Sequence, residues 1–374
     1  MPDPRYEKLA DVLINHSTAL QAGENVLIEV FDAPSEIVIA LIKATRAVGG
    51  NAHVAIRDNR IMRALNYDAS NANFEVWADY DRYRMTKMQA YIGLRGSQNV
   101  SEAADIPDEQ QKMQASLYAK PVHFQQRVCH TRWCVLRWPT PSMAQLAQMS
   151  TEAFEDFYFN VCTLDYAKMA SAIQPLEDRM SSTDQVRING PGDTDLTFSI
   201  RDINVIGCSG THNIPDGEIF TAPVRDSING IIHYNTPTIY NGASFENVRL
   251  TFENGRVVEA SAEADTDKLN SILDTDDGAR YVGEFAIGFN PYITHAMKDI
   301  LFDEKIAGSL HFTPGRCYEE ADNGNKSEIH WDLVLIQRPE FGGGTIHFDG
   351  ELIRRDGLFI PGDLEPLNPD ALKG

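Results

Sequence analysis

The apolar positions of this chain change rhythm about halfway along it. In the first half they alternate between helical and strand spacing. Residues 6–20 carry Leu9, Val12 and Leu13 at helical intervals, and Gly23 ends the run. Residues 26–31 form a β-rich stretch, and 35–48 follow as a helix with Ser35 as cap and Gly49-Gly50 as stop. Residues 51–56, 90–94 and 134–138 are the next predicted strands. Strand, helix and strand joined by short links imply parallel pairing through right-handed crossovers. Helical spacing returns over 142–148 and 151–173, and a polar, turn-rich stretch near 179–184 closes this half.

Beyond residue 182 the pattern shortens. Residues 185–188, 196–200, 230–234, 244–252 and 256–262 are brief β-rich runs separated by Gly, Asn, Asp and Pro. Asn254-Gly255 between two alternating runs predicts a hairpin turn, and 266–273 predicts a helix. The expected architecture is α/β plus α+β. An N-terminal α/β domain with a mostly parallel sheet spans 1–182, and a mainly antiparallel, β-rich domain spans 183–374. A length of 374 residues, too great for one ordinary core, agrees with two domains.

Composition narrows the partners. With 43% hydrophobic and 23% charged residues the chain reads as a soluble globular protein. A net charge of −21 argues against nucleic acid and anionic membrane surfaces, both of which need a basic face. No apolar run approaches the roughly 18 residues of a membrane span, and the first residues lack the pattern of a secretory signal. The 5 cysteines are odd in number and scattered, which suits reduced thiols in a cytoplasm. Cys129-His130 and Cys134 have no second ligand pair at finger spacing, so a core strand is the better reading there. The glycines spell no phosphate loop, and Gly342-Gly343-Gly344 reads as a turn.

Chemically suggestive residues gather after Gly207. Glu218 follows Pro215-Asp216-Gly217 where a loop enters a strand. Glu284 interrupts an apolar run between Gly283 and Gly288, and a buried carboxylate must be paired, protonated or metal-bound. His311 also lies among apolar residues, with Tyr318 beyond a Pro314-Gly315 turn. His330 and Asp332, two residues apart in an extended run, point to one face. Glu218, Glu284, His311, His330 and Asp332 make an oxygen-and-imidazole set without thiolate, suited to zinc, cobalt or manganese. Three carboxylates favour two ions. Such a pair activates a water and polarises a carbonyl, and a tyrosine hydroxyl could hold the oxyanion.

These blocks resemble the metallo-aminopeptidases of the aminopeptidase T and aminopeptidase S type. The family's asparagine-leucine-proline stretch leading to Glu-Val-Phe-Thr-Ala-Pro looks like Asn213 to Pro223. Its Asp-Thr-Asp-Glu-Gly-Ala-Arg block, followed by Gly-Glu, looks like Asp274 to Arg280 with Gly283-Glu284. Its Leu-Phe-Asp-Glu stretch leading to histidine looks like Leu301 to His311, and its His-x-Asp matches His330 and Asp332. The resemblance places metal ligands on Glu218, Glu284, His311, His330 and Asp332 and the catalytic tyrosine on Tyr318. Glu284 is implied as bridging ligand and general base. It further implies two divalent ions per chain (zinc, cobalt, manganese or magnesium), a homodimer, and peptide substrates with a free N-terminus. The implied reaction is exopeptidase hydrolysis of the N-terminal residue through a metal-activated water. Two departures stand out. The interval from Glu304 to His311 is longer than usual, leaving open whether Glu304 is a further ligand, and 313–317 replaces an Ala-Leu-Gly type segment.

A second reading uses fewer residues. Some dihydroxypyridine dioxygenases resemble relatives of the same fold, and His311, His330 and Asp332 alone would suit an iron-dependent, ring-cleaving site. Glu218 and Glu284 would then be surplus charge. Counting ions per chain separates the two readings.

Overall fold

A computed structural model describes residues 3–240 and 242–373. Two compact units emerge: Met1–Tyr166 with Gly210–Pro215, and Ala167–Ser209 with Asp216–Gly374. The sequence pattern puts the division near 182.

The first unit is built on a five-stranded parallel sheet. Its strands run in the order Asn51–Arg57, Asn25–Phe31, Ala90–Arg95, Arg132–Arg137 and Asn213–Ile214. Asn25–Phe31 buries Val26, Leu27, Ile28 and Val30 completely, so it shows the continuous apolar run of a strand covered on both faces. Glu29 is the one charged residue inside it. The following helix, Ser35–Ala47, is preceded at its cap position by Pro34, which makes no side-chain cap bond, so Ser35 is the first helical residue rather than the cap. Helices Asn59–Tyr67 and Asn71–Met85 escape the apolar pattern because they bury so little. The first buries nothing, and the second buries only Phe74, Ala78 and Met85.

The predicted helix over 151–173 is two helices, Thr151–Cys162 and Tyr166–Ser182. The second runs through the polar stretch read as turns. Within the second unit Arg179 ties its end to Glu351 and Asp363, with nitrogen-to-oxygen distances of 3.0 Å to each. Partners so far along the chain leave no local trace.

The second unit holds an eight-stranded and a five-stranded sheet. The five-stranded sheet is antiparallel, in the order Val334–Ile336, Ser309–Pro314, Val282–Gly288, Glu218–Thr221 and Ile206–Cys208. Phe285 and Phe312, cross-strand partners, turn to one face and meet Phe198 of the larger sheet with ring centroids 5.0 Å away in each case. That face is the core between the sheets, and alternation sends Glu284 and His311 to the other face. The predicted run 244–252 divides into Ala243–Phe245 and Arg249–Glu253. The hairpin at Asn254-Gly255 is present, with both residues at positive φ. No helix among the described residues is long and apolar enough to cross a membrane.

Candidate metal centre

Strand register gathers the site. Glu218 pairs with Gly288, His311 with Ala286, Thr313 with Glu284, and Cys208 with Glu218. Directly paired residues share a face, so Cys208, Glu218, Glu284, His311 and Thr313 all project from one side. A register shift between Val282 and Glu284 re-aims the glutamate, as bulges beside functional sites do.

Two glycines let the remaining pieces approach. A side chain at Gly288 would strike the carbonyl oxygens of Glu304 and Ile306 at 2.8 Å, so its absence admits that turn over the sheet. Gly315 has φ +109 and would clash with the Ile329 carbonyl at 2.2 Å. Its lack of a side chain lets the segment around His330 dock through a single bridge. The segment is extended rather than a regular strand, since the strand proper begins at Val334. Alternation still holds within it. His330 and Asp332 face the site, while Trp331 turns away to stack on Tyr240 at 4.8 Å.

The resulting contacts are tight. Glu284 Oε1 lies 3.2 Å from His311 Nε2, and its Oε2 lies 3.2 Å from His330 Nε2. His330 Nε2 is also 3.2 Å from Asp332 Oδ1, and His311 Nε2 is 3.8 Å from Glu218 Oε2. The Nδ1 of His330 lies 2.7 Å from the Arg316 carbonyl, fixing it as the N–H that donates there and turning Nε2 inward. Thr313 Oγ1 donates to Asp332 Oδ1 at 2.8 Å. Tyr318 lies at the rim, its ring centroid 4.7 Å from that of His330.

All six expected residues, Glu218, Glu284, His311, Tyr318, His330 and Asp332, therefore belong to one neighbourhood. Glu304 borders it, but its carboxylate contacts the Lys305 ammonium. Lys305 is fully buried and its Nζ also lies 3.4 Å from Glu218 Oε1. Sequence reading misses Lys305, Thr313, Asp216 and Cys208. Asp216, Glu218 and Cys208 offer ligand atoms within 4.8 Å of one another, as do Glu284, His330 and Asp332.

Charge in this pocket is unbalanced toward acid. Burial pushes the Glu218 carboxyl well above its usual range, against the pull of Lys305. Burial opposes ionisation of Glu284 too, but contact with His311 and His330 outweighs it and lowers that carboxyl. Burial resists protonation of both imidazoles, yet carboxylates win. Glu284 brings His311 up to about 10, and Asp332 with Glu284 brings His330 up to about 12. Burial of Cys208, reinforced by Asp216 and Glu218, raises its thiol and keeps it neutral.

These observations fit a divalent cation. Glu218 Oε2 and His330 Nε2 are buried and find no hydrogen-bond partner among the described residues, although each faces other donor atoms at close range. Unsatisfied buried polar atoms need an explanation, and a shared cation is one. A cation would also replace the protons that the acids force onto the imidazoles.

Comparison with known proteins agrees. The sequence matches the thermophilic metalloprotease (M29) family over residues 3–359. The chain belongs to that family. Among M29 relatives, aminopeptidase 2 of Geobacillus stearothermophilus is 26% identical over 420 residues, covering 96% of each chain. The structure of AmpT from Thermus thermophilus superposes with a TM-score of 0.79 at 20% identity, covering 96% of this chain and 99% of that one. A 2,5-dihydroxypyridine dioxygenase from Pseudomonas putida shares the fold more loosely, with a TM-score of 0.61 at 12% identity over 96% of this chain and 98% of that one. The α/β first unit and β-rich second unit are thus the M29 architecture, and the ligand-rich face belongs to a metallopeptidase fold.

Proposed function

We propose that this metallo-aminopeptidase removes the N-terminal residue of peptides at the face formed by Glu218, Glu284, His311, His330 and Asp332. The observation that carries the reading is Glu284, buried and held between two imidazoles at 3.2 Å, with Asp332 against the second of them. Glu284, His330 and Asp332 would hold one divalent cation, and Glu218 and His311, with Glu284 alongside, would offer the donors for a second. When bound, such ions polarise the scissile carbonyl and acidify a water.

The protein's own groups do the rest. Glu284 accepts the proton that the attacking water loses and passes it to the leaving amine. Tyr318 keeps its phenolic proton, because partial burial at the rim, with 41% of the residue exposed, and then the carboxylates of Glu284 and Asp332 push its pKa up. It can therefore donate a hydrogen bond to the developing oxyanion. The same reading carries a homodimer, a cytoplasmic setting and an ion drawn from zinc, cobalt, manganese or magnesium.

The test is a panel of aminoacyl p-nitroanilides, the leucyl compound first, assayed after chelation and after refilling with each ion. Release of amino acid should vanish on chelation and return on refilling. Hydrolysis indifferent to chelation would sink the proposal. One iron per chain with oxygen uptake on a dihydroxypyridine would replace it with ring cleavage.

A further inference from the structure

Lys305 is the one residue of this pocket that a metal centre does not obviously need. Its side chain is fully buried, and its Nζ contacts Glu304 and lies 3.4 Å from Glu218 Oε1. The backbone leaves it little choice. The Asn290 N–H donates to the Lys305 carbonyl at 3.0 Å, the Lys305 N–H donates to Phe302 at 3.0 Å, and Ile306 bridges to Asn290. Gly288 admits this turn against the sheet face that bears Glu218. A buried ammonium persists only where carboxylates surround it, and here it takes up one oxygen of Glu218 and one of Glu304.

We infer that the Lys305 ammonium is a built-in substitute for much of the second cation's charge, so that this chain binds one divalent ion tightly and a second only weakly. The inference rests on the reading of the face as a divalent-metal centre and concerns how that face divides. Among the described residues the ion pairs of Lys305 run to Glu218 and Glu304 and none runs to Glu284 or Asp332, so Glu284, His330 and Asp332 keep their donors for the first ion. The second ion would have to use Glu218 Oε2 and His311 beside a fixed positive charge, with Glu304 already engaged. Repulsion between like charges a few ångströms apart remains large in a buried site. Glu304 accordingly serves as the partner that holds Lys305 and not as a ligand.

The experiment loads the chelated full-length protein with Mn²⁺ and measures bound manganese after gel filtration, the two binding constants by calorimetry, and the electron paramagnetic resonance spectrum. The wild type should retain one ion per chain, bind a second at least about tenfold more weakly, and show the spectrum of an isolated ion. Lys305→Met should tighten the second site by about tenfold or more and give an exchange-coupled pair, whereas Lys305→Arg should behave as the wild type. Two ions of comparable affinity in the wild type would overturn the inference, and this arm needs no variant to fold. An unchanged second constant in a folded Lys305→Met would overturn it too. No retained manganese in the wild type would instead remove the metal-centre reading beneath it.

Discussion

Glu29 in the first unit and Glu284 in the second each sit inside a buried strand, yet their surroundings balance charge in opposite ways. Glu29 meets Arg57 at 3.3 Å and Arg95 and Arg127 at 3.4 Å, and the Tyr91 hydroxyl donates to it at 2.7 Å. The protein supplies more cation than that carboxylate requires. Glu284 shares its face with Glu218, Glu304 and Asp332, against one lysine that is already engaged and two imidazoles that only protonation makes cationic. Burial is the same; the sign of the remainder differs. A self-neutralised carboxylate serves stability, whereas a surplus of acid with orphaned donor atoms waits for a cation.

Exchanging each glutamate for glutamine should separate these roles most sharply. Glu284→Gln is expected to reduce turnover by about 10²–10⁴-fold while the unfolding midpoint without metal changes little. Glu29→Gln should do the reverse, costing about 3–5 kcal/mol of stability because three guanidiniums lose their shared partner. Activity per folded molecule should survive. Matching losses of activity in the two variants would erase the distinction. Next in size is acid sensitivity. Burial alone would raise the Glu29 carboxyl, but Arg127, Arg95 and Tyr91 overcome it and bring it from 4.5 to about 2. Because the folded value lies below the unfolded one, its contribution is complete above about pH 4.5 and is lost as pH falls toward 2. Over that window Glu29 contributes about 3 kcal/mol. Denaturant titrations of Glu29→Gln should show a shallower acid loss than the wild type there, and parallel curves would contradict the assignment. The smallest expected effect is Tyr318→Phe, a fall in kcat of about 10²-fold with metal content unchanged. Loss of bound metal in that variant would make Tyr318 a ligand instead.

The two regions were unequally legible in the sequence. Glu284 announces itself as a charge among Val282, Phe285, Ala286 and Ile287, and His330 and Asp332 by their spacing. Lys305 does not, since a lysine after Asp303-Glu304 in a short turn looks solvated. Its burial depends on Gly288 and Asn290, paired only in three dimensions. The Glu29 network is equally hidden, because its arginines come from three separate segments. Helix Tyr166–Ser182 overruns its apolar signal through the ion pairs of Arg179. Periodicity reports which face of an element is buried, and it is silent about which distant charges that face will meet.

The most direct test of the central claim is the shift in unfolding midpoint on adding Mn²⁺ to chelated protein, for the wild type and for the Glu284→Gln/Asp332→Asn double variant. Saturation a hundredfold above the dissociation constant corresponds to about 2.7 kcal/mol. The wild type should therefore gain several degrees while the double variant gains none. An equal gain in both would show that the acid-rich face of the second unit is not where the cation binds.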